Sequence, residues 1–461
     1  MPDMIIRRPA TGTSSANPRQ AACETLLRIR KEGGFADRLI DIELSNGALT
    51  GPDRGLYAEL VFGVLRRQGT LDHILQQLLE KPMIELDPLA LVILRIGLYQ
   101  LTCLDRIPES AAVNESVNLA KLITPGTSGL INAVLRNYLR RRDTITFPDI
   151  STHPAAAIAA RHSQPEWLVE QWLDQLGVAE AGQLAEVSSQ QPPLTLRVNT
   201  LRSSRDELLR EFTLQNIDAA PCRYSPDGIT LVGRHIISAL PGFEAGLFAV
   251  QDEASQLAGR LLGAEPGERI WDACCAPGGK TCHIAEQMDD RGELIATDIS
   301  RSKLTTVQDN LRRLGMNTVS TAVADLHQPD TFPAGSFDRI LLDAPCSGLG
   351  VIRRNPEAKW RLFSGDITRL AAVQKTLLKN AATRLKPGGT LLYSTCSTSE
   401  AENELVVEDF LLHHPGFVLE NLNDLFPEWS DLIAFYGMFR VWPHRHGMDG
   451  FFAARLKKIG A

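Results

Sequence analysis

Cysteine is sparse in this chain. Eight cysteines among 461 residues, at positions 23, 103, 222, 274, 275, 282, 346 and 396, form no CxxC pair and no cysteine–histidine spacing suited to zinc. That excludes a disulfide scaffold and gives no metal site, so reduced thiols in a cytoplasmic setting are expected. Long hydrophobic runs are also missing. The most apolar stretch, residues 89–101, is interrupted by Arg95, and it falls short of the roughly 20 residues a membrane span needs. The polar residues 1–16 lack the apolar centre of a secretory signal. There is no excess of positive charge either: the net charge is -7, with 18 Lys and Arg against 17 Asp and Glu in residues 1–150 and 30 against 38 in the remainder. A uniformly basic nucleic-acid surface is therefore excluded. A polyanionic partner would have to meet local clusters, with Arg136, Arg140, Arg141 and Arg142 as one candidate and Arg353, Arg354, Lys359 and Arg361 as another. Neither the phosphate loop GxxxxGK[ST] nor the dinucleotide loop GxGxxG occurs, and there are no internal repeats.

What the chain does contain is 44% hydrophobic and 22% charged residues, ordinary for a globular protein with room for two to four domains. Residues 1–17 are rich in Ser, Thr, Pro and Gly and are expected to be a disordered leader. Residues 18–145 show helical periodicity throughout, with Asp87 as an N-cap ahead of Pro88 and a break expected near Gly69, which predicts an all-α bundle. Residues 146–245 read as a proline-bearing linker and a small α+β domain, with strands in "LTLRVN" and "GITLVG". Within residues 246–461 the rhythm becomes strand–helix alternation, which predicts a doubly wound, mainly parallel α/β sheet of the Rossmann-like type.

In such sheets ligands bind at the C-terminal ends of the strands. After the first strand comes "DACCAPGGKT", whose Gly278 and Gly279 allow close backbone approach ahead of a helix with free N–H groups. Asp298 closes the second strand, where an acid can take ribose hydroxyls, and Asp325 the third, where a carboxylate can accept an adenine amino group. An adenosine-containing cofactor follows; these residues alone leave S-adenosylmethionine and NAD both open.

Two later segments, "DAPCSGLG" and "YSTCS", follow the fourth and fifth strands, expected to be neighbours. Cys346 and Cys396 should therefore sit side by side near the cofactor. A thiolate there suits methylation of a pyrimidine carbon. Its addition to C6 of cytosine makes C5 nucleophilic enough to attack a sulfonium methyl, and loss of the C5 proton then releases the thiol. Asp343, three residues before Cys346, is placed to bond the ring at N3 and N4. The acid–Pro-Pro–aromatic signature of amino-group methylation is absent. Spacing alone leaves either cysteine as the nucleophile.

With these motifs in place, together with "NPEAKW", "RVWPHRHGMDGFF" and "LRVNTLR", the chain resembles the bacterial RsmB (Sun, Fmu) family of 16S ribosomal RNA cytosine-C5 methyltransferases over nearly its whole length. The resemblance implies an N-terminal NusB-like RNA-binding bundle, an α+β segment and a C-terminal S-adenosylmethionine-dependent domain. Carried onto this sequence, Cys274, Cys275, Ala276, Pro277, Gly278, Gly279 and Lys280 line the cofactor, with Asp298 at the ribose, Asp325 at the adenine and Asp343 beside both cofactor and base. It also implies that Cys396 is the nucleophile and that Cys346 assists product release. Cys275 departs from the alanine common in that loop. The implied substrate is 16S rRNA with the cytosine single-stranded or flipped, met before or during subunit assembly, by a monomer with no membrane association. Two alternatives are a transfer RNA or different ribosomal target, and a non-catalytic NusB-like RNA-binding assembly factor.

Overall fold

The computed structural model describes residues 17–233, 235–434 and 436–460. Apart from Asn17, the expected leader lies outside them. The fold divides into two compact units. One runs to Gln190 and takes in Asn355–Arg361; the other holds Gln191–Arg354 and the chain from Leu362.

The first unit is helical: α1 (Pro18–Glu32), α2 (Ala36–Ser45), α3 (Pro52–Leu78), α4 (Pro88–Cys103), α5 (Glu109–Ile123), α6 (Ser128–Arg141), α7 (Pro154–His162) and α8 (Glu166–Val187). Local chemistry sets the starts of α1 and α4. Asn17 caps α1, and Asp87 caps α4 by accepting the N–H groups of Leu89 and Ala90, each with proline at the first helical position. The apolar faces of α1 and α3–α6 close one core around Leu60, Val64, Ile93, Leu94 and Leu135.

The break expected near Gly69 is not there. Helix α3 runs unbroken for 27 residues. The glycine is a packing requirement, because a Cβ at that position would stand 2.8 Å from Trp360 Cη2. The second basic cluster is not a free surface either. Lys359 is fully buried and donates to the Ser163 carbonyl at 2.6 Å; Arg361 donates to the carbonyl oxygens of Ile29, Gly33 and Gly34. Arg353 and Arg354, in the second unit, pair with the buried Asp449. The first cluster differs: Arg136, Arg140, Arg141 and Arg142 all lie exposed.

The second unit begins with β1 (Leu194–Val198), α9 (Arg205–Leu214), β2 (Ala219–Pro221), β3 (Gly228–Leu231) and β4 (Phe248–Val250), an antiparallel sheet in the order β2-β3-β1-β4. Helix α10 (Glu253–Leu261) leads into β5 (Arg269–Asp272), α11 (Gly279–Gln287), β6 (Glu293–Asp298), α12 (Arg301–Leu314), β7 (Val319–Val323), β8 (Phe337–Asp343), α13 (Ser364–Ala382), β9 (Leu385–Thr395), α14 (Glu404–His413), β10 (Phe417–Leu419), β11 (Phe439–Val441) and β12 (Phe451–Lys458). The large sheet runs β10-β12-β9-β8-β5-β6-β7. Strands β5 to β9 are mutually parallel, and β12 closes the β9 edge antiparallel. The expected doubly wound sheet is thus present. The order reverses at β5, whose neighbours are β8 and β6, and the C-terminal strand ends beside it form the ligand-binding crevice of such a fold. The inner strands β8 and β9 are buried on both faces over most of their length, and their apolar stretches, Ile340–Leu342 and Leu391–Tyr393, run unbroken rather than alternating.

Candidate active site

Register brings the cysteines together. Asp343 of β8 is paired with Ser394 of β9, so the chain leaves both strands at the same level. Cys346 lies three residues on and Cys396 two, with their Sγ atoms 3.4 Å apart. Both thiols are free; a disulfide would need about 2.05 Å. Two bonds hold the loops against each other, from the Ala344 N–H to the Ser394 oxygen and from the Gly350 N–H to the Cys396 oxygen, each 2.8 Å. Gly350 permits this closeness, since a Cβ there would stand 2.0 Å from the Gly450 oxygen. The Cys346 thiol is pushed well above its ordinary range, first by the hydrogen bond with Cys396, then by burial, then by the negative charges of Cys396 and Glu402.

A cavity of about 320 Å³ opens beside the pair, a size suited to a small organic ligand. Asp298, Asp325, Asp343, Cys346 and Cys396 all reach it, between apolar walls that include Ile299, Leu326 and Leu377. A second cavity of about 210 Å³ is lined by Asp272, Cys275, Pro277, Gly279 and Lys280 and shares Cys274, Ala276 and Asp343 with the first. Of the loop residues expected at a cofactor, Gly278 alone lines neither. It makes the turn instead, at φ 100°, and a Cβ there would meet Val307 at 3.1 Å. Asp325 does not close its strand: β7 ends at Val323, and Asp325 sits in the loop beyond, accepting the His327 N–H and the Gln328 amide at 2.9 Å. Cys275 is buried in the core under the loop, where burial pushes its thiol upward.

The polar groups are oriented. Asp343 accepts Lys280 Nζ and Ser394 Oγ, both at 2.8 Å. Lys280 also stands 4.7 Å from the Phe451 ring centroid. The α11 terminus is fixed from β1: Arg197, fully buried, donates to the Gly279 oxygen at 2.8 Å, forks onto Glu286 at 2.6 and 3.2 Å, and bonds Gln251. This contact places the "LRVNTLR" segment in the site's support. The "HGMDG" segment has a similar task, since Asp449 gathers Arg353 and Arg354, and Arg354 reaches Asp252.

One residue that the sequence reading missed is Asp272, at the end of β5. Its carboxyl is buried and pushed up to about 7, chiefly by desolvation, although the Thr281 hydroxyl donates to Oδ2 at 2.6 Å. Its Oδ1 has no hydrogen-bond partner among the described residues. The position of an acid at a strand end was the available signal. Glu402 was also missed, and no spacing rule marks it.

Acids at successive strand ends, a helix N-terminus turned toward them and a thiol pair alongside describe the catalytic domain of an S-adenosylmethionine-dependent methyltransferase. Comparison with known proteins agrees. The family model "16S rRNA methyltransferase RsmB/F" matches residues 260–457, the NusB family model residues 16–140, and the RsmF/B-like ferredoxin-like domain model residues 164–237. A Synechocystis protein described as a probable ribosomal RNA small subunit methyltransferase B is 39% identical, over 95% of this chain and 99% of its own. The solved structure of PH0851 is 26% identical, with a TM-score of 0.80 over 97% of this chain and 100% of that one. The structure of NSun6 from Pyrococcus horikoshii with SFG is 25% identical, with a TM-score of 0.57 over 64% of this chain and 99% of that one. The chain belongs to the RsmB/F family of RNA methyltransferases, with S-adenosylmethionine as methyl donor.

Proposed function

We propose that this enzyme methylates C5 of a cytosine in small-subunit ribosomal RNA through a covalent bond between Cys396 and C6 of the base. The observation that carries the reading is the thiol pair, 3.4 Å apart, opening onto the same cavity as Asp298, Asp325 and Asp343.

The cavities suit the donor. Asp298 is an acceptor for the ribose hydroxyls, and Asp325 for the adenine amino group. The unpartnered Oδ1 of Asp272 is an acceptor that the methionyl ammonium would satisfy. Cys274, Cys275, Ala276, Pro277, Gly279 and Lys280, which line the second cavity, would hold the methionyl end. When bound, S-adenosylmethionine supplies an electrophilic methyl group.

The protein supplies the activation. The Cys396 thiolate adds to C6, forming the S–C6 bond and pushing an electron pair onto C5. Asp343, anchored by Lys280 and Ser394, accepts the N4 amino hydrogen and, when N3 is protonated, the N3 hydrogen, so that the protonated N3 draws charge out of the ring. After C5 is methylated, its proton passes to a water molecule acting as base, the electron pair of the C5–H bond re-forms the C5–C6 double bond and Cys396 leaves as thiolate. Cys346 serves this release, and its raised thiol pKa keeps it protonated beside the nucleophile. A stacked cytosine cannot offer its face to a thiol, so the target is an unpaired or flipped nucleotide. The exposed arginines of α6 are suited to phosphates of the RNA backbone. RNA not yet assembled into the subunit fits this need.

The test is transfer of a labelled methyl group to unmodified small-subunit RNA, naked and assembled, with the modified base located by bisulfite sequencing. One new 5-methylcytosine, formed on naked RNA and not on the subunit, is expected. Label confined to transfer RNA would move the substrate. Absence of transfer to any RNA would favour a non-catalytic assembly factor.

A further inference from the structure

Behind the two cysteines lies a carboxylate to which the chemistry above gives no task. Glu402 is fully buried in the short turn Glu400–Glu402 after β9. Its Oε1 accepts the Ser347 N–H at 2.8 Å and the Gln374 amide at 3.0 Å; its Oε2 accepts the hydroxyls of Ser347 and Ser397, each at 2.5 Å. All four donors are uncharged. Ser347 follows Cys346 in the chain and Ser397 follows Cys396, so one carboxylate grips the residue next to each thiol. Gln374 extends the grip by donating to the Pro345 oxygen, on the other side of Cys346, at 3.0 Å. Asn403 adds to it from the neighbouring position, donating to the Ser397 oxygen at 2.9 Å and accepting the Thr395 hydroxyl at 2.5 Å. The Tyr393 hydroxyl holds the Glu402 carbonyl at 2.5 Å.

A buried carboxylate is costly unless its acceptor sites are filled. Here they are filled by groups from β8's loop, β9's loop and α13, so the carboxylate ties side chains of both loops and of α13 together beyond the two backbone bonds already joining the loops.

We propose that Glu402 is a positioning residue that sets the separation and direction of the Cys346 and Cys396 thiols. This rests on the roles given to the two cysteines above. Its negative charge contributes in the same sense, as one of the influences that keep Cys346 protonated.

The test uses the full chain and two readouts. The first is methyl transfer to small-subunit RNA, separated into kcat and KM. The second needs no RNA: diamide accepts the two thiol hydrogens as a Cys346–Cys396 disulfide forms, and peptide mass spectrometry follows the rate. For Glu402→Ala, kcat should fall about ten- to hundredfold, as expected when reacting groups move by about an ångström. KM for S-adenosylmethionine should stay within about threefold, while disulfide formation slows about tenfold. Glu402→Gln should recover most of both rates, because its amide can donate to the two serine hydroxyls and its oxygen can keep the other two bonds. A folded Glu402→Ala protein with both rates within about twofold of wild type would overturn the proposal. So would a folded Glu402→Gln protein as slow as the alanine variant. If Glu402→Ala fails to fold, Ser347→Ala/Ser397→Ala removes the two hydroxyl contacts, and unchanged rates in that protein would overturn it equally. A wild-type chain that methylates no RNA would sink the cytosine reading, while the oxidation rates would still decide this one.

Discussion

Replacing Asp272 with asparagine removes a buried charge while keeping the shape and the acceptor for Thr281. The carboxyl is raised from its ordinary 3.8 to about 7. The folded protein therefore holds this proton more tightly than the unfolded chain does. Stability from this group is fully present below about pH 4, is lost as pH climbs from about 4 to about 7, and levels off above. A rise of roughly three units at about 1.4 kcal/mol each gives a cost near 4 kcal/mol at pH 8. Asp272→Asn has no such slope. It should be the more stable protein at pH 8, and its advantage should widen by about 2 to 3 kcal/mol between pH 5 and pH 8. Calorimetric unfolding of both proteins at the two pH values measures this. The same substitution should weaken S-adenosylmethionine binding by about tenfold or more, because the ammonium loses a charged acceptor. An asparagine variant no more stable than wild type at pH 8, or a gap that does not grow with pH, would show that Asp272 is not a strained buried acid.

Two further outcomes follow from the support of the site. Arg197→Met strands Glu286 in a site where the pair is 0% and 1% exposed, and should cost about 3 to 5 kcal/mol in urea unfolding, with Arg197→Met/Glu286→Leu regaining most of it. Gly350→Ala drives a methyl group into the Gly450 oxygen, so it should lower kcat while leaving S-adenosylmethionine affinity, measured by calorimetry, within about threefold.

The periodicities made the architecture legible. The switch from helical to alternating patterns placed the bundle and the sheet, and parallel order made β8 and β9 neighbours, from which the meeting of Cys346 and Cys396 follows. The misreadings share a physical origin: each depended on a distant partner. Gly69 looks like a helix breaker by propensity, yet Trp360, far along the chain, needs the space it leaves. Arg353 and Arg354 look like a basic patch because the balancing Asp449 lies almost a hundred residues away. Lys359 looks solvated because a backbone carbonyl, which no sequence displays, accepts from its Nζ. Strands β2 and β10, three residues each at sheet edges, are too short to show alternation. Glu402 could not be found by spacing at all, since its task is defined by hydroxyls from its own loop and from the loop after β8.

The most direct measurement of the central claim is the covalent state of RNA mixed with each cysteine variant, run on a denaturing gel with S-adenosylmethionine present. Cys346→Ala should accumulate a denaturation-resistant protein–RNA band, and Cys396→Ala should give neither band nor methylated product. A stable adduct in Cys396→Ala and none in Cys346→Ala would contradict the assignment of the nucleophile, and full activity in both would contradict thiol catalysis altogether.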